Sequence, residues 1–492
     1  MTPTFETATT LALYTPAAAP FLASLIALIL PWRAAAIAGI LAATAILASG
    51  ITLAADTQPS TYAAGLLRAD ALTAWMLIAI GAVAAIACSA APAHLRTEST
   101  AERRRYLVLA QLFLTCMSLA VLADNLGLLW VAVEATTIVT AFLVGHRRTR
   151  ASVEAAWKYV VLCSVGIAIA FLGTVCVYAA SIAAGGHGIT ALDWTHLNAS
   201  ASTLDPGLMR LATGLVLLGF GTKAGLAPMH SWLPDAHSQA PAPVSALMSG
   251  VLLSVAFYAI LRYKTITDAV LGPTYTRTLL LIAALASLAV AATLLIAQRN
   301  YKRLLAYSSI EHMGLIALGT AFGVKIAIAA ALLHILGHGL TKAVAFCAAG
   351  HIMQTTGSPD IDNVHGLAAR QPALAATFGI SLISLLGLPP FSLFASELAI
   401  ARAGFDAGHG WAVAIAFTLI LVAFAAIARH ATAMLLGPPP PPSPRPNSPS
   451  PRPAGLTILA VGLAAAAALG VYLGPLEQLL DAAATIVAGG PR

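Results

Sequence analysis

The chain has 492 residues, of which 59% are hydrophobic and 9% carry a charged side chain. Soluble domains contain about 25% charged residues, so this composition excludes an ordinary soluble protein and predicts a membrane protein. The formal net charge is +7, but Lys and Arg cluster between apolar segments, a pattern typical of membrane topology signals. No basic face interleaved with aromatic residues is present, which argues against nucleic-acid binding.

Long apolar segments follow one another along the chain. Because a helix needs about 20 apolar residues to cross a bilayer, the sequence predicts an all-α polytopic membrane protein with about 14 transmembrane helices. The first segment follows no basic stretch and lacks a clear cleavage site, so we expect it to be retained rather than removed as a signal peptide. The predicted spans are residues 9–31, 34–54, 70–91, 106–123, 125–145, 155–182, 207–228, 243–262, 277–297, 303–321, 326–353, 372–400, 410–433 and 455–475.

The distribution of positive charge predicts the orientation. If the basic clusters at 103–105, 147–150 and 299–303 face the cytoplasm, the alternation of spans places both termini outside. The segment 185–205, which contains no Lys or Arg, then also lies outside. We expect the inner or cell membrane of a bacterium or archaeon.

Spans four to eight and nine to thirteen form two sets of five, and because five is odd the second set enters the membrane from the opposite face. This is the inverted repeat of secondary transporters. The fourth span of each set is a broken helix, interrupted at 219–228 and at 387–390; ordinary membrane prolines are the alternative interpretation. The expected organisation is an N-terminal three-helix segment (1–100), a first repeat (101–265), a second, inverted repeat (266–436), a Pro-rich linker (437–453) and a C-terminal transmembrane helix (454–492).

Lys223 lies among glycines and prolines at the end of a long apolar run, within Phe220-Gly-Thr-Lys-Ala-Gly-Leu-Ala-Pro228. An interrupted helix is tolerated in hydrocarbon only where its freed backbone groups face protein or trapped water. Ionisable residues at this depth are costly and mark ion or proton paths. Transport is therefore the first functional hypothesis.

Five segments carry a family resemblance, which spans roughly residues 70–435. The chain resembles the antiporter-like membrane subunits shared by respiratory complex I, Mrp cation/proton antiporters and membrane-bound nickel-iron hydrogenases. Within this superfamily it is most similar to the F-subunit branch of hydrogenase-4. The segments are Val131–Thr137, Glu154–Tyr159, Phe220–His237, Tyr301–Gly314 and Leu332–Phe346.

Glu134 lies in the middle of span five with no cation within a helical turn. A buried lone carboxylate needs a proton or a partner on another helix. The resemblance implies that Glu134 and Lys223 form a proton-loading pair. A structural ion pair that moves no proton is the alternative.

On span eleven, His334, His338 and Lys342 recur every four residues and so share one helix face. Because histidine gains and loses protons near neutral pH, the stripe is a plausible relay; core histidines bonded to backbone carbonyls are the alternative. The resemblance implies that Glu397, beyond the second break, serves the exit side.

Several further residues are possible helpers. Lys158 is either a modulator of Glu134 or the partner of Glu154 in an interfacial pair. Residues flanking the first break either load protons or cap half-helices, and the role of Glu311, with His312 beside it, is open. The complete set of possible helpers is Lys158, His230, Asp235, His237, Ser254 and Glu311.

The segment 244–261 departs from the resembling complex I pump subunits, which carry a mid-membrane lysine there. Its one ionisable group is Tyr258, whose high pKa makes it a poor proton carrier. Either water and the hydroxyls of Ser245, Ser249 or Ser254 bridge Lys223 to the histidines, or the two halves are not connected. We expect a hydrated bridge, because Ser and Gly leave room for water.

The resemblance implies a proton-translocating subunit of a complex-I-like oxidoreductase, of group 4 hydrogenase or NADH-quinone oxidoreductase type, with electron transfer in partner membrane subunits. We expect no cofactor in this chain, since its five cysteines are dispersed without a C-x-x-C pair and it has no redox motif or phosphate loop. The expected partners are those subunits, membrane lipid, and protons or sodium. An Mrp-type cation/proton antiporter subunit and a haem-bearing cytochrome b-like anchor are the alternatives; in the latter, His334 and His338 would have to face each other across two helices.

Overall fold

The computed structural model describes residues 3–55, 62–438 and 453–489 and is mostly helical. The strands β1 (Tyr62–Ala64) and β2 (Leu67–Ala69) form an antiparallel hairpin. The helices are α1 (Pro3–Ile29), α2 (Trp32–Ala54), α3 (Ala71–His94), α4 (Thr100–Leu122), α5 (Leu126–Val144), α6 (Arg150–Ala183), α7 (Trp194–Ala199), α8 (Pro206–Lys223), α9 (Trp232–Gln239), α10 (Ala242–Leu247), α11 (Leu253–Leu271), α12 (Pro273–Ile296), α13 (Tyr301–Phe322), α14 (Lys325–Thr356), α15 (Leu367–Arg370), α16 (Pro372–Leu385), α17 (Ser392–Asp406), α18 (Gly410–Leu436), α19 (Pro453–Val471) and α20 (Leu476–Ala488).

The helices make this a multi-pass membrane protein. In the described ranges ten helices are long and apolar enough to cross a bilayer, or eleven if the bent pair α19 and α20 is counted as one span. One of them joins α10 and α11 through a π-helical turn, Met248–Leu252, and is fully enclosed by the other helices. The prediction of a polytopic fold is confirmed, and the fold is mostly helical apart from the β1–β2 hairpin. Most of the predicted Pro-rich linker, residues 439–452, lies outside the described residues.

Both predicted helix breaks are present, although the first begins at residue 224 rather than at 219, because α8 continues to Lys223. The chain leaves helical conformation at 224–231, between α8 and α9, and at 386–391, between α16 and α17. Each break holds a cis X-Pro peptide and a glycine with positive φ, Gly225 at +77° and Gly387 at +62°. Such backbone angles disfavour residues with a Cβ, so glycine is required at these two turns.

The backbone groups freed at the first break have protein partners. Trp232 Nε1 donates to the carbonyl oxygen of Thr222 at 2.9 Å, and the amide of Ala227 donates to Ser287 Oγ at 2.9 Å. Because an unpaired backbone group is costly inside a bilayer, these side chains make the non-helical segment tolerable there.

The C-terminal segment holds a helix beyond its predicted span. The sequence predicted a transmembrane helix over residues 455–475; α19 ends there at Val471, and α20 follows at an angle of 74° to it. Gly474, with φ of +54°, and Pro475 interrupt the helix between them. The short helix α20 packs against α3 and α14, and Lys264 Nζ donates to the carbonyl oxygen of Val487 at 3.2 Å.

A buried ion network ties the hairpin to three helices. Asp70 caps α3 by accepting from the amide of Thr73 at 2.9 Å. Its two carboxylate oxygens also accept from the guanidinium of Arg262 on α11, at 2.8 and 2.7 Å, and Arg68 on β2 lies 3.1 Å away. The ring of Trp194 lies 4.1 Å from the guanidinium carbon of Arg68 and 4.9 Å from that of Arg262. The network thus joins four separate segments.

We expect Asp70→Asn to destabilise the protein by about 3–5 kcal/mol, because it leaves the buried guanidinium of Arg262 without its carboxylate partner. Burial alone would raise the pKa of the Asp70 carboxyl, but Arg262 and Arg68 hold it well below its ordinary value. The ionised carboxylate therefore contributes stability above about pH 4, the ordinary pKa of Asp, and this contribution is lost as the pH falls from there toward the folded pKa. Thermal unfolding of the purified chain in detergent measures both effects.

The matched control is Asp481→Asn, which removes a pair with Lys325 at 2.6 Å in which both side chains are exposed. Such pairs contribute at most about 1 kcal/mol. Equal unfolding temperatures for the two variants would contradict the role of Asp70.

Candidate functional site

Lys223 is the last residue of α8 and its side chain is fully buried. The ammonium Nζ donates to Thr137 Oγ1 of α5 at 2.6 Å and to Tyr159 OH of α6 at 2.7 Å. It also lies 5.0 Å from the centre of the Tyr159 ring. Hydroxyl oxygens, with no carboxylate within 4 Å in the described ranges, are the immediate partners of this ammonium group.

Glu134 reaches Lys223 through a hydroxyl. Its Oε2 accepts from Thr137 Oγ1 at 2.9 Å, and its Oε1 accepts from Ser164 Oγ at 3.2 Å. The expected pair is therefore connected in the order Glu134, Thr137, Lys223, rather than by direct contact. Glu134 and Thr137 are three residues apart on α5 and so share a helix face. That spacing was the signal in the sequence for Thr137, which the sequence analysis missed.

The acidic partners of Lys158 are Glu154 and Asp235 rather than Glu134. Its Nζ lies 2.7 Å from a carboxylate oxygen of Glu154 and 3.4 Å from one of Asp235, and its side chain is 42% exposed. Arg303 of α13 lies 3.0 Å from the other oxygen of Asp235. Asp235, on α9 directly after the first break, thus connects α6 with α13. Of the two interpretations of Lys158, the geometry matches the interfacial pair with Glu154.

The predicted stripe on α14 is present, and a second helix extends it. His334, His338 and Lys342 are all fully buried. His312 of α13 places its Nδ1 3.0 Å from His334 Nε2, and its ring centre lies 5.0 Å from that of His338. His312, whose role the sequence left open, therefore contacts both histidines of the stripe.

Lys342, at the other end of the stripe, also finds its partners on α13. Its Nζ donates to the carbonyl oxygen of Leu305 at 2.7 Å and to Ser308 Oγ. Glu311, farther along α13, is 5% exposed, and its Oε2 has no hydrogen-bond partner in the described part of the chain.

Glu397 lies against the second break. Its carboxylate occupies the space beside Gly387, where an added Cβ would collide with it. The neighbouring Ser396 Oγ lies 2.9 Å from His334 Nδ1, so α17, the helix after this break, contacts the stripe. The donor atoms of His312, His334 and Glu397 lie within 4.8 Å of one another and are the candidate ligands for a cation.

A further group of buried polar side chains has few hydrogen-bond partners among the described residues. His237 stacks on Phe346, with ring centres 5.0 Å apart. Neither ring nitrogen of His237 or His338, nor the hydroxyl of Ser254, has a hydrogen-bond partner among residues 3–55, 62–438 and 453–489. The other two predicted serines are paired: Ser249 Oγ lies 2.7 Å from Ser309 Oγ, and Ser245 Oγ donates to a backbone carbonyl. His230 is half-buried in the loop before α9.

One helix is interrupted next to a buried lysine, and a second break lies beside another set of buried ionisable groups. Together these features define an antiporter-like membrane subunit. The chain belongs to the family described as NADH:quinone oxidoreductase/Mrp antiporter, transmembrane, whose pattern it matches over residues 123–423. The resemblance deduced from the sequence is confirmed.

Individual relatives agree with this assignment. A hydrogenase-4 component F homolog of Methylacidiphilum infernorum is 41% identical over 317 residues, which cover 64% of this chain and 67% of that protein. Some other curated relatives are longer, and the match spans about half of their length.

Solved structures share the fold. A subunit of the membrane-bound sulfane sulfur reductase, an archaeal respiratory complex, superposes with a TM-score of 0.85 at 24% identity over 98% of this chain and 97% of that one. A subunit of the Mrp complex from Dietzia sp. superposes with a TM-score of 0.84 at 23% identity, over 97% of both chains.

Proposed function

We propose that this chain is a proton-translocating membrane subunit of a complex-I-like oxidoreductase, of group 4 hydrogenase or NADH-quinone oxidoreductase type. The observation that carries the proposal is the connection of Glu134 to the buried ammonium of Lys223 through Thr137. Intramembrane ionisable groups mark ion paths, and the similarity to a hydrogenase-4 component supports the type of complex. Electron transfer takes place in partner membrane subunits, and no cofactor is assigned to this chain.

The hydrogen bonds at Lys223 run in one direction. Lys223 donates to the hydroxyl of Thr137, and that hydroxyl donates to the carboxylate of Glu134. If Thr137 accepts a proton from the ammonium group and passes its own to Glu134, one charge of each sign disappears. This shift would neutralise the pair without moving a helix, and proton loading requires such a step.

Polar groups between the two halves support the hydrated bridge. Buried polar atoms are normally hydrogen-bonded, and water binds where two to four donors or acceptors converge. The unpartnered atoms of His237, His338 and Ser254 are free to bind water. We infer that water there connects Lys223 with the histidines of α14, from which protons continue through Lys342 and Glu397. We assign a supporting role in proton transfer to the other possible helpers, His230, Asp235, Lys158 and Glu311.

The finer architecture belongs to the same proposal: fourteen spans, two inverted repeats within the predicted domain limits, and both termini outside the inner or cell membrane. The starts of α5 and α13 resemble each other, which supports the repeat. Asn125 caps α5 and forms an isolated antiparallel β-bridge with Asp193, and Asn300 caps α13 and forms one with Asp360. These helices are the second members of the two predicted sets, and each carries a glutamate within its span, Glu134 or Glu311.

A second candidate function is an Mrp-type cation/proton antiporter subunit. The family description includes both activities, and a carboxylate beside two imidazoles, in the group of His312, His334 and Glu397, could bind a cation. Proton and sodium fluxes measured in the same proteoliposomes distinguish the two functions.

Lys223→Met should abolish proton translocation while the complex still assembles, because Met keeps the length of the side chain and removes the titratable amine. Lys223→Arg should fail as well, since guanidinium hardly releases its proton. Proton uptake by proteoliposomes is the measurement. Lys325→Met, which changes an exposed lysine, is the control and should pump normally, and normal pumping by the Lys223→Met variant would refute the assignment.

Thr137→Val removes the connecting hydroxyl and preserves the side-chain shape. We expect proton translocation to fall by about a hundredfold, the lower end of what a positioned proton-transfer group contributes. Thr137→Ser, which restores a hydroxyl, should recover most of the rate. If the valine variant pumps like the wild type, the proton does not pass through this hydroxyl.

Ser254→Leu should slow proton transfer between the halves by about tenfold or more, because the larger side chain occupies the space of the water that we infer there. Ser254→Ala leaves that space open and should have a small effect. His338→Ala removes the receiving group and should act like the leucine variant. Wild-type pumping rates in both the Ser254→Leu and His338→Ala variants would show that the halves work independently.

A further inference from the structure

A basic groove opens where three membrane helices end. It lies between the start of α2, the end of α3 and the start of α4 and encloses about 510 Å³. Because these helices cross the bilayer, their ends lie at the level of the lipid headgroups. The groove is lined by Trp32, Arg33, Pro92, Arg96 and Arg103.

The three arginines of this groove form no ion pair within the ranges that the structure describes. The acidic residues near them in the sequence bond elsewhere: Glu98 lies 2.7 Å from His146 Nε2, and Glu102 accepts from the backbone and hydroxyl of Ser99. Three positive charges therefore converge without a protein countercharge, a setting that favours an anion able to accept several hydrogen bonds.

The guanidinium of Arg103 is held in place by protein contacts. Its Nε donates to the carbonyl oxygen of Leu95 at 2.8 Å, and a terminal nitrogen donates to that of Arg96. Its central carbon lies 4.8 Å from the centre of the Trp32 ring, and that of Arg33 lies 5.8 Å from it. Since a guanidinium has five N–H donors, most of those of Arg103 remain for a ligand. Tryptophan is also the residue typical of the headgroup level.

An apolar stripe continues from the groove toward the bilayer centre. Arg33, Ile37 and Leu41 follow at intervals of four residues and share one face of α2. Ile37 is 60% exposed and Leu41 is 62% exposed. With a rise of about 1.5 Å per residue they lie about 6 and 12 Å below Arg33. The surface thus combines a cationic end at headgroup level with an apolar face at acyl-chain level.

We propose that this groove binds an anionic phospholipid, with the phosphate of the headgroup on Arg33, Arg96 and Arg103 and an acyl chain along Ile37 and Leu41. Phosphate is the anion that guanidinium groups bind with several charge-assisted hydrogen bonds. The charge and the apolar stripe together match a lipid, whereas a free phosphate would need the arginines alone. The site is separate from the residues of the proposed proton path.

The test uses the tagged full chain, purified together with the subunits that stay bound and incubated with phosphatidylglycerol or phosphatidylcholine of identical acyl chains. Native mass spectrometry counts the lipids retained on this chain. We expect preferential retention of phosphatidylglycerol. Arg33→Gln and Arg96→Gln should each reduce it about fivefold, the equivalent of about 1 kcal/mol per basic residue near an anionic surface. Arg370→Gln, which changes an exposed arginine elsewhere, should leave it unchanged.

Ile37→Gln and Leu41→Gln separate a lipid from a free phosphate. Both should weaken retention of phosphatidylglycerol, because each places a polar group along the acyl chain. If both variants retain the lipid normally while inorganic phosphate displaces it, the ligand is a free phosphate and the lipid assignment is wrong. Equal retention of the two lipids by the wild type, or normal retention by both the Arg33→Gln and Arg96→Gln variants, would also overturn the proposal.

Discussion

Inside an apolar bundle, every polar group must find its partner within the protein or in trapped water, because hydrocarbon offers none. This constraint accounts for the side chains that surround each departure from regular apolar helix. The freed carbonyl of Thr222 is paired by the Trp232 indole, the ammonium of Lys223 by two hydroxyls, and the carboxylate of Asp70 by guanidiniums. The helices can therefore contain breaks and charges without losing their packing.

The same constraint bears on how firmly a proton is held. A carboxylate in direct contact with an ammonium group in a medium of low dielectric is strongly stabilised in its charged form. The intervening hydroxyl of Thr137 separates the charges of Glu134 and Lys223 and still connects them by hydrogen bonds. Under the proposed function, this arrangement favours exchange, because a proton can pass through the hydroxyl while the two charged groups stay apart.

The sequence predicted those features that depend on local pattern. Glycine and proline indicated both breaks, and the spacing of His334, His338 and Lys342 indicated a shared face. Contacts between helices left no such pattern: the position of His312 against two of these residues depends on how α13 packs on α14. The Asp70 network was missed for the same reason, since Asp70 and Arg262 are far apart in the chain. The bend before α20 left a local signal, Gly474 and Pro475, at the end of the predicted span 455–475, whereas α20 itself lies beyond that span and was not predicted.

Two independent restrictions meet at residue 387. Its φ of +62° suits glycine, and the space that a Cβ would need is occupied by the carboxylate of Glu397. A change to alanine, the smallest that the genetic code allows, would therefore move an acidic group on the neighbouring helix. A substitution at this position would displace the Glu397 carboxylate beside the second break even where it spared the fold. Under the proposed function, in which protons pass through Glu397, residue 387 therefore has little freedom to change.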